Sequence, residues 1–254
     1  MLAPAGRKHR RGHPGRPNQD DRRDAGVAAR VDRFTDLREA DVSAWLRFHL
    51  PSWKARALVV GCGTGVHTER LADRFNEVLA IDPDRSLVDH ARRHRARGNV
   101  RYEIRGPHEV TVADDGLFDL VFAAHLHRPV DRRAAVAALR HLRSLTRPEG
   151  TLLLTGRTGQ DPTPDRASRW TLRSAAWREL REDLQHSRRP VRDAVELLHL
   201  NLDRDVLTHQ AAHGLWTRPD WDDLTAHVLP GARTIDLDRA FALYWRAPGP
   251  WAPT

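Results

Sequence analysis

The 254-residue sequence predicts a doubly wound α/β fold: one mostly parallel sheet with helices on both faces, closed by an antiparallel hairpin. Three observations carry that expectation. Short apolar runs at 57–60, 78–81, 100–104, 118–123 and 151–155 alternate with stretches of helical periodicity, the pattern of parallel strands joined by crossover helices. The first run ends in a glycine-rich loop, Gly61-Cys62-Gly63-Thr64-Gly65, which opens a helix. Two further strand-like runs, 234–237 and 241–245, are joined tightly enough to pair as a hairpin, which makes seven strands.

Taken in order, residues 1–29 are rich in Arg, Gly, Pro and Asp and nearly free of large apolar side chains. Such a segment buries too little surface to offset its ordering entropy, so it reads as a disordered basic tail, with a basic arm that touches nucleic acid or an acidic partner as the alternative. From residue 30 the folded domain begins. Val31, Phe34, Val42, Trp45, Leu46 and Phe48 recur at near-helical spacing up to Pro51. After the first strand and its glycine loop, Leu71, Ala72 and Phe75 mark the inward face of a helix. The second strand ends at Asp82, and Pro83 opens the next helix, a position where proline costs nothing. That helix carries Leu87, Val88 and Ala91 and stops near Gly98. Val136, Leu139 and Leu142 line the helix before the fifth strand. Residues 157–230 show no clear strand; Trp170, Trp177, Leu180 and Leu184 form one helical stripe, Val191, Val195 and Leu198 another, and Val206 to Leu215 suggest a third. Tryptophans at such spacing are more often core than a ligand pocket.

The net charge of +8 looks like a nucleic-acid signal, but +5 of it lies in residues 1–30, and the rest of the chain is close to balanced. Cys62 is the only cysteine, so no intrachain disulfide can form, and a reducing cytoplasm is expected. No apolar stretch approaches the roughly 18 residues that a spanning helix needs, so no membrane partner is expected. His209 and His213 have the i, i+4 spacing of zinc ligands, yet Gln210 stands where a zinc protease needs glutamate, and no metal is expected.

The glycine loop is the strongest chemical signal. Glycine lets the backbone turn sharply and approach a ligand closely, at the carboxyl end of a strand where such folds bind ligands. A dinucleotide fingerprint would place its third glycine at Val66; here it arrives one residue early, at Gly65. The loop resembles motif I of class I S-adenosylmethionine (SAM)-dependent methyltransferases, of the type 11/25-like domain, and the order of elements over residues 31–156 matches as well. The resemblance implies a Rossmann-like methyltransferase fold whose last hairpin supplies a reversed seventh strand. It implies SAM as cofactor, held by Gly61, Cys62, Gly63, Thr64 and Gly65, with the Asp82 carboxylate on the ribose and Pro83 completing an Asp-Pro turn. Without a ligand, the loop would be only a tight turn and Asp82 only a helix N-cap.

In the family a stretch after strand three contacts adenine. Here it reads Arg105-Gly106-Pro107-His108-Glu109, and Pro107 occupies the acidic position, which leaves adenine recognition to His108, Glu109 or packing. Phe118-Asp119-Leu120-Val121-Phe122 resembles the family's strand four, with Asp119 at the wrong end for catalysis. The segment Ala123-Ala124-His125-Leu126-His127 then lies at the ligand edge: Ala124 falls against the cofactor, and His125 and His127 are candidate general bases, or loop histidines that only pack. Leu145-Thr146-Arg147-Pro148-Glu149-Gly150 resembles a Leu-x-Pro-Gly-Gly turn with Glu149 in place of a glycine. Residues 157–230 are read as a helical lid that sets substrate choice.

The expected activity is methyl transfer to an O, N, S or C nucleophile of a small-molecule acceptor. An RNA or protein methyltransferase, a non-catalytic SAM-binding relative and an NAD-dependent oxidoreductase are the alternatives. The balanced charge of the folded part, the absence of an Asn/Asp-Pro-Pro-aromatic motif after strand four and the lack of a cysteine there argue against nucleic acid. The oligomeric state is left open.

Overall fold

The computed structural model describes residues 19–38, 40–50, 54–123, 132–157, 169–186, 189–203, 205–206, 224–237 and 240–248. In chain order these form α1 (Gln19–Arg38), α2 (Ala40–His49), β1 (Lys54–Val60), α3 (Val66–Ala72), β2 (Phe75–Asp82), α4 (Arg85–His94), β3 (Val100–Ile104), a 3-10 turn (Pro107–Glu109), α5 (Val112–Asp115), β4 (Phe118–Ala123), α6 (Arg132–Ser144), β5 (Thr146–Arg157), α7 (Arg169–Gln185), α8 (Val191–Leu202), β6 (Arg233–Asp236) and β7 (Ala240–Arg246). The seven strands make one sheet in the order β3-β2-β1-β4-β5-β7-β6. The first five run parallel, and β7 is antiparallel to both β5 and β6.

Alternation along each strand divides the core between the two faces of the sheet. Leu58, Val60, Leu79, Ile81, Val121, Leu152 and Leu154 point to one face, against Leu139 and Leu142 of α6 and against Leu224 and Val228. Ala57, Val59, Val78, Ala80, Leu120, Phe122 and Leu153 point to the other, against Val42 and Leu46 of α2, Leu71 of α3, and Val88 and Ala91 of α4. Phe75, expected on α3, instead begins β2 and is buried there. Pro83 does not open α4; the helix starts at Arg85, because the Asp84 carboxylate accepts from the amides of Ser86 and Leu87 at 2.8 and 3.3 Å and sets the cap.

Part of the stretch expected to be a disordered tail is helical. Residues 19–29 belong to α1, and Ala28 and Val31 are buried against Leu87 of α4. Residues 1–18 lie outside the described residues. α1 is tied to two neighbours: Asp32 accepts three bonds, of 3.1–3.2 Å, from Arg95 just past the end of α4, and Phe34 and Leu37 share a cluster with Leu197 and Leu200 of α8. Arg33 donates to Glu196 and Asp193 of α8, and Arg30 to Asp205. The segment expected to form an insertion, 157–230, therefore does not stand alone: its helix α8 is joined to the N-terminal helix, and α7 packs on α8. Trp177 is a correction: it is 52% exposed, and Ala176 and Leu180 fill the α7–α8 interface in its place.

The turn before the fifth strand also differs from expectation. β5 begins at Thr146, and the bulge between Phe118 and Leu120 in its pairing with β4 absorbs the turn. Glu149 adopts φ 61°, and a Cβ on Gly150 would come within 2.8 Å of the Arg147 carbonyl oxygen and 3.0 Å of that of Asp119. One position of the turn needs a left-handed backbone and the next needs the missing Cβ.

Candidate functional site

Strand order reverses beside β1, which has β2 on one side and β4 on the other, and the glycine loop leaves β1 at that switch point. Gly61, Gly63 and Gly65 all have positive φ, of 68°, 52° and 87°. The loop is laced to the strand beside it: the Cys62 amide donates to the Ile81 carbonyl at 3.0 Å, and the Gly65 amide to the Cys62 carbonyl at 2.9 Å. Gly65 is pressed from outside, since a Cβ there would meet Tyr102 Oη at 2.8 Å and Ala91 Cβ at 3.2 Å. A Cβ on Gly63 would meet nothing within 4 Å, so the loop's open side has room for a ligand. Thr64 is buried, and burial pushes the pKa of the Cys62 thiol well up, so Cys62 serves as a neutral packing group rather than a nucleophile.

Asp82 ends β2 next to this loop and is 4% exposed. Its Oδ2 accepts from the Gly63 amide at 2.9 Å and its Oδ1 from the Asp84 amide at 2.9 Å. The helix cap belongs to Asp84, so Asp82 is not the N-cap of α4. A carboxylate offers about four acceptor directions, and two of these remain for a ribose diol. Pro83 is exposed at the turn. The open side of the loop and this half-engaged carboxylate fit SAM on the residues themselves.

The stretch after β3 folds into the 3-10 turn. The Glu109 carboxylate bonds back to the Gly106 amide, and the His108 ring lies over Gly106, whose Cβ would be 2.9 Å from its Cε1. Both side chains are exposed at the rim. Arg105 locks the base of the turn with paired bonds of 2.9 Å to Asp115, and that bond holds the Asp115 carboxyl below its ordinary pKa. Asp119 accepts from the Arg56 amide at 2.9 Å and from Arg147 at 3.2 Å, far from the ligand edge.

Ala124, His125 and His127, as well as His209 and His213, lie outside the described residues. Strand β4 leads toward the first three: Ala123 pairs with Val60, the last residue before Gly61. A histidine with no assigned role emerges instead at His67. It is 4% exposed, edge-on to Phe122 at 5.5 Å, with Nδ1 3.4 Å from Ser43 Oγ of α2, so it ties α2 and α3 to β4 beneath the loop. Its place inside the loop-to-helix motif was the only sequence signal for it.

The strand order, the reversed β7 and the loop with Asp82 are the arrangement that the resemblance to class I SAM-dependent methyltransferases leads one to expect. Residues 57–150 match the family described as Methyltransferase domain. The ubiquinone biosynthesis O-methyltransferase of Xanthomonas campestris pv. campestris is 34% identical over 102 residues, which are 39% of this chain and 42% of that one. The protein of that name from Xanthomonas euvesicatoria pv. vesicatoria is 33% identical over 102 residues, with the same coverage. The similarity thus spans less than half the length of these curated relatives. An O-methyltransferase family protein from Burkholderia thailandensis superposes with a TM-score of 0.58 at 14% identity, over 91% of this chain and 64% of that one. The DhpI-SAH complex superposes with a TM-score of 0.54 at 16% identity, over 89% and 95%.

Proposed function

We propose that this chain binds SAM on the 61–65 loop and Asp82 and methylates an O, N, S or C nucleophile of a small-molecule acceptor. The observation that carries the reading is Asp82, whose carboxylate holds the Gly63 amide and keeps acceptor capacity on the open side of the loop. When bound, SAM supplies a methyl group already activated by its sulfonium, and transfer leaves S-adenosylhomocysteine. The chain's own residues then mainly position. Asp82 orients a ribose, the 61–65 backbone admits the ligand closely, and His108 and Glu109 edge the adenine side. Positioning of this kind can supply about 7–11 kcal/mol of a barrier. His125 or His127 would take the acceptor's proton where the acceptor is protonated at working pH. The resemblance to curated ubiquinone biosynthesis O-methyltransferases supports a small-molecule acceptor.

The test is calorimetric titration with SAM and S-adenosylhomocysteine, followed by transfer of labelled methyl to small acceptors, RNA and protein. Micromolar binding is expected, and Asp82→Ala should weaken it tenfold or more, about 1.4 kcal/mol. Unchanged affinity in that variant removes Asp82 from the ribose. Label recovered only in RNA or protein overturns the small-molecule reading.

A further inference from the structure

The α7–α8 hairpin separates its charges by side. Its five acidic residues, Glu179, Glu182, Asp183, Asp193 and Glu196, are all buried or half-buried. Several of them serve the fold: Asp183 pairs with Arg189 at 2.8 Å, and Asp193 and Glu196 pair with Arg33 of α1 at 3.0 Å. The described charged side chains that are exposed, histidines aside, are arginines: Arg173, Arg178, Arg181 and Arg192. Among them stand four exposed apolar side chains, Trp177 at 52%, Leu184 at 45%, Val191 at 65% and Val195 at 37%.

The helical repeat gathers these four on one side. On α7, Trp177 and Leu184 are seven residues apart and so nearly in line, about a quarter turn from the Ala176–Leu180 line that packs on α8. On α8, Val191 and Val195 are one turn apart, beyond the Ala194–Leu198 line that packs on α7 and away from the Leu197–Leu200 line that packs on α1. In an antiparallel helix pair both displacements lead to the same side, the one turned away from α1. The stripe is flanked by Arg173, Arg181 and Arg192.

An aliphatic and tryptophan stripe bordered by arginines, with no exposed carboxylate beside it among the described residues, is the pattern of a helix face lying in a bilayer's headgroup region. A second copy would set the arginines against each other. RNA would gain stacking only from Trp177, because leucine and valine offer none. We propose that this face docks on an anionic lipid surface, with the four apolar side chains entering the headgroup layer and the arginines meeting lipid phosphates. The expectation of no membrane partner rested on the lack of a spanning segment. Among the described residues no helix is long and apolar enough to cross a membrane, and that has no bearing on a helix pair lying on one.

Co-sedimentation of the full chain with vesicles of phosphatidylcholine alone and of phosphatidylcholine mixed with phosphatidylglycerol tests this. Binding is expected to the mixed vesicles and to weaken with salt. The triple variant Arg173→Glu, Arg181→Glu, Arg192→Glu should lose on the order of a hundredfold in partition, at roughly fivefold for each arginine, with its melting temperature retained. Mixed vesicles should shift the tryptophan emission to shorter wavelength in the parent and less so in Trp177→Phe. No binding to mixed vesicles, equal partition of the triple variant, or an undiminished shift in Trp177→Phe overturns the proposal. So does a dimer that Trp177→Ser abolishes in the absence of vesicle binding, or RNA binding without vesicle binding.

Discussion

At Glu149 the backbone turns through φ 61° while the side chain is exposed, so nothing on the side chain compensates for the left-handed conformation. That conformation costs a non-glycine residue roughly 1–2 kcal/mol. Part of the gain from a glycine is lost again to the freer unfolded chain. Glu149→Gly should therefore stabilise the protein by about 0.5–1 kcal/mol, a rise of a few degrees in melting temperature on calorimetric scanning. An unchanged or lower melting temperature would mean that the Glu149 side chain stabilises the fold in a way its exposure conceals. Gly150 admits no such exchange, because its missing Cβ faces two backbone carbonyls. The sequence pattern showed that a Gly-Gly turn had lost one glycine; only the dihedral shows which kind of glycine it was.

At the scale of elements, strands β3 and β4 were legible to the residue for different reasons: β4 is a nearly continuous buried apolar run, whereas β3, at the sheet edge, alternates Val, Tyr and Ile with Arg and Glu. Helix α1 was legible only in part. Its apolar line, Val27, Ala28, Val31, Phe34 and Leu37, runs upstream into an arginine-rich stretch, and composition outweighed periodicity there. Nothing local could show that α8 would be its partner, since Arg33 and Glu196 are 163 residues apart in the chain. That joint is testable. Arg33 is 38% exposed and its ion pairs are discounted accordingly, so Arg33→Ala should cost only about 0.5–1 kcal/mol globally. Its local effect should be larger. Hydrogen exchange at the amides of α8 should quicken while β1 and β4 stay protected, because the sheet core does not depend on the α1–α8 contact. Equal loss of protection in the sheet would show that the α1–α8 pair and the sheet unfold as one unit.

For the whole molecule, acidic and basic groups are interleaved across element boundaries, and this sets how stability responds to acid. Burial opposes ionisation of Glu69, but Arg95 and Arg97 outweigh it and hold its pKa below the ordinary value. Arg105 holds Asp115 low as well, through its hydrogen bonds. The first pair ties α3 to the end of α4, and the second closes the turn between β3 and α5. A carboxylate whose folded pKa is depressed takes up its proton more readily when unfolded. Its stabilisation is then complete above the ordinary carboxylate range of about pH 4 and drains away as the pH falls through the lower folded pKa. Urea midpoints should decline gently below about pH 6.5, where the unfolded chain protonates His90 more readily because burial lowers its folded pKa, and then drop steeply below the carboxylate range. The double variant Glu69→Gln, Asp115→Asn should have a lower midpoint at neutral pH and a shallower acid limb, because the two groups that couple folding to protons are gone. A parallel downward shift, with the acid limb as steep as in the parent, would place the coupling in other carboxylates, Glu196 beside Arg33 first among them.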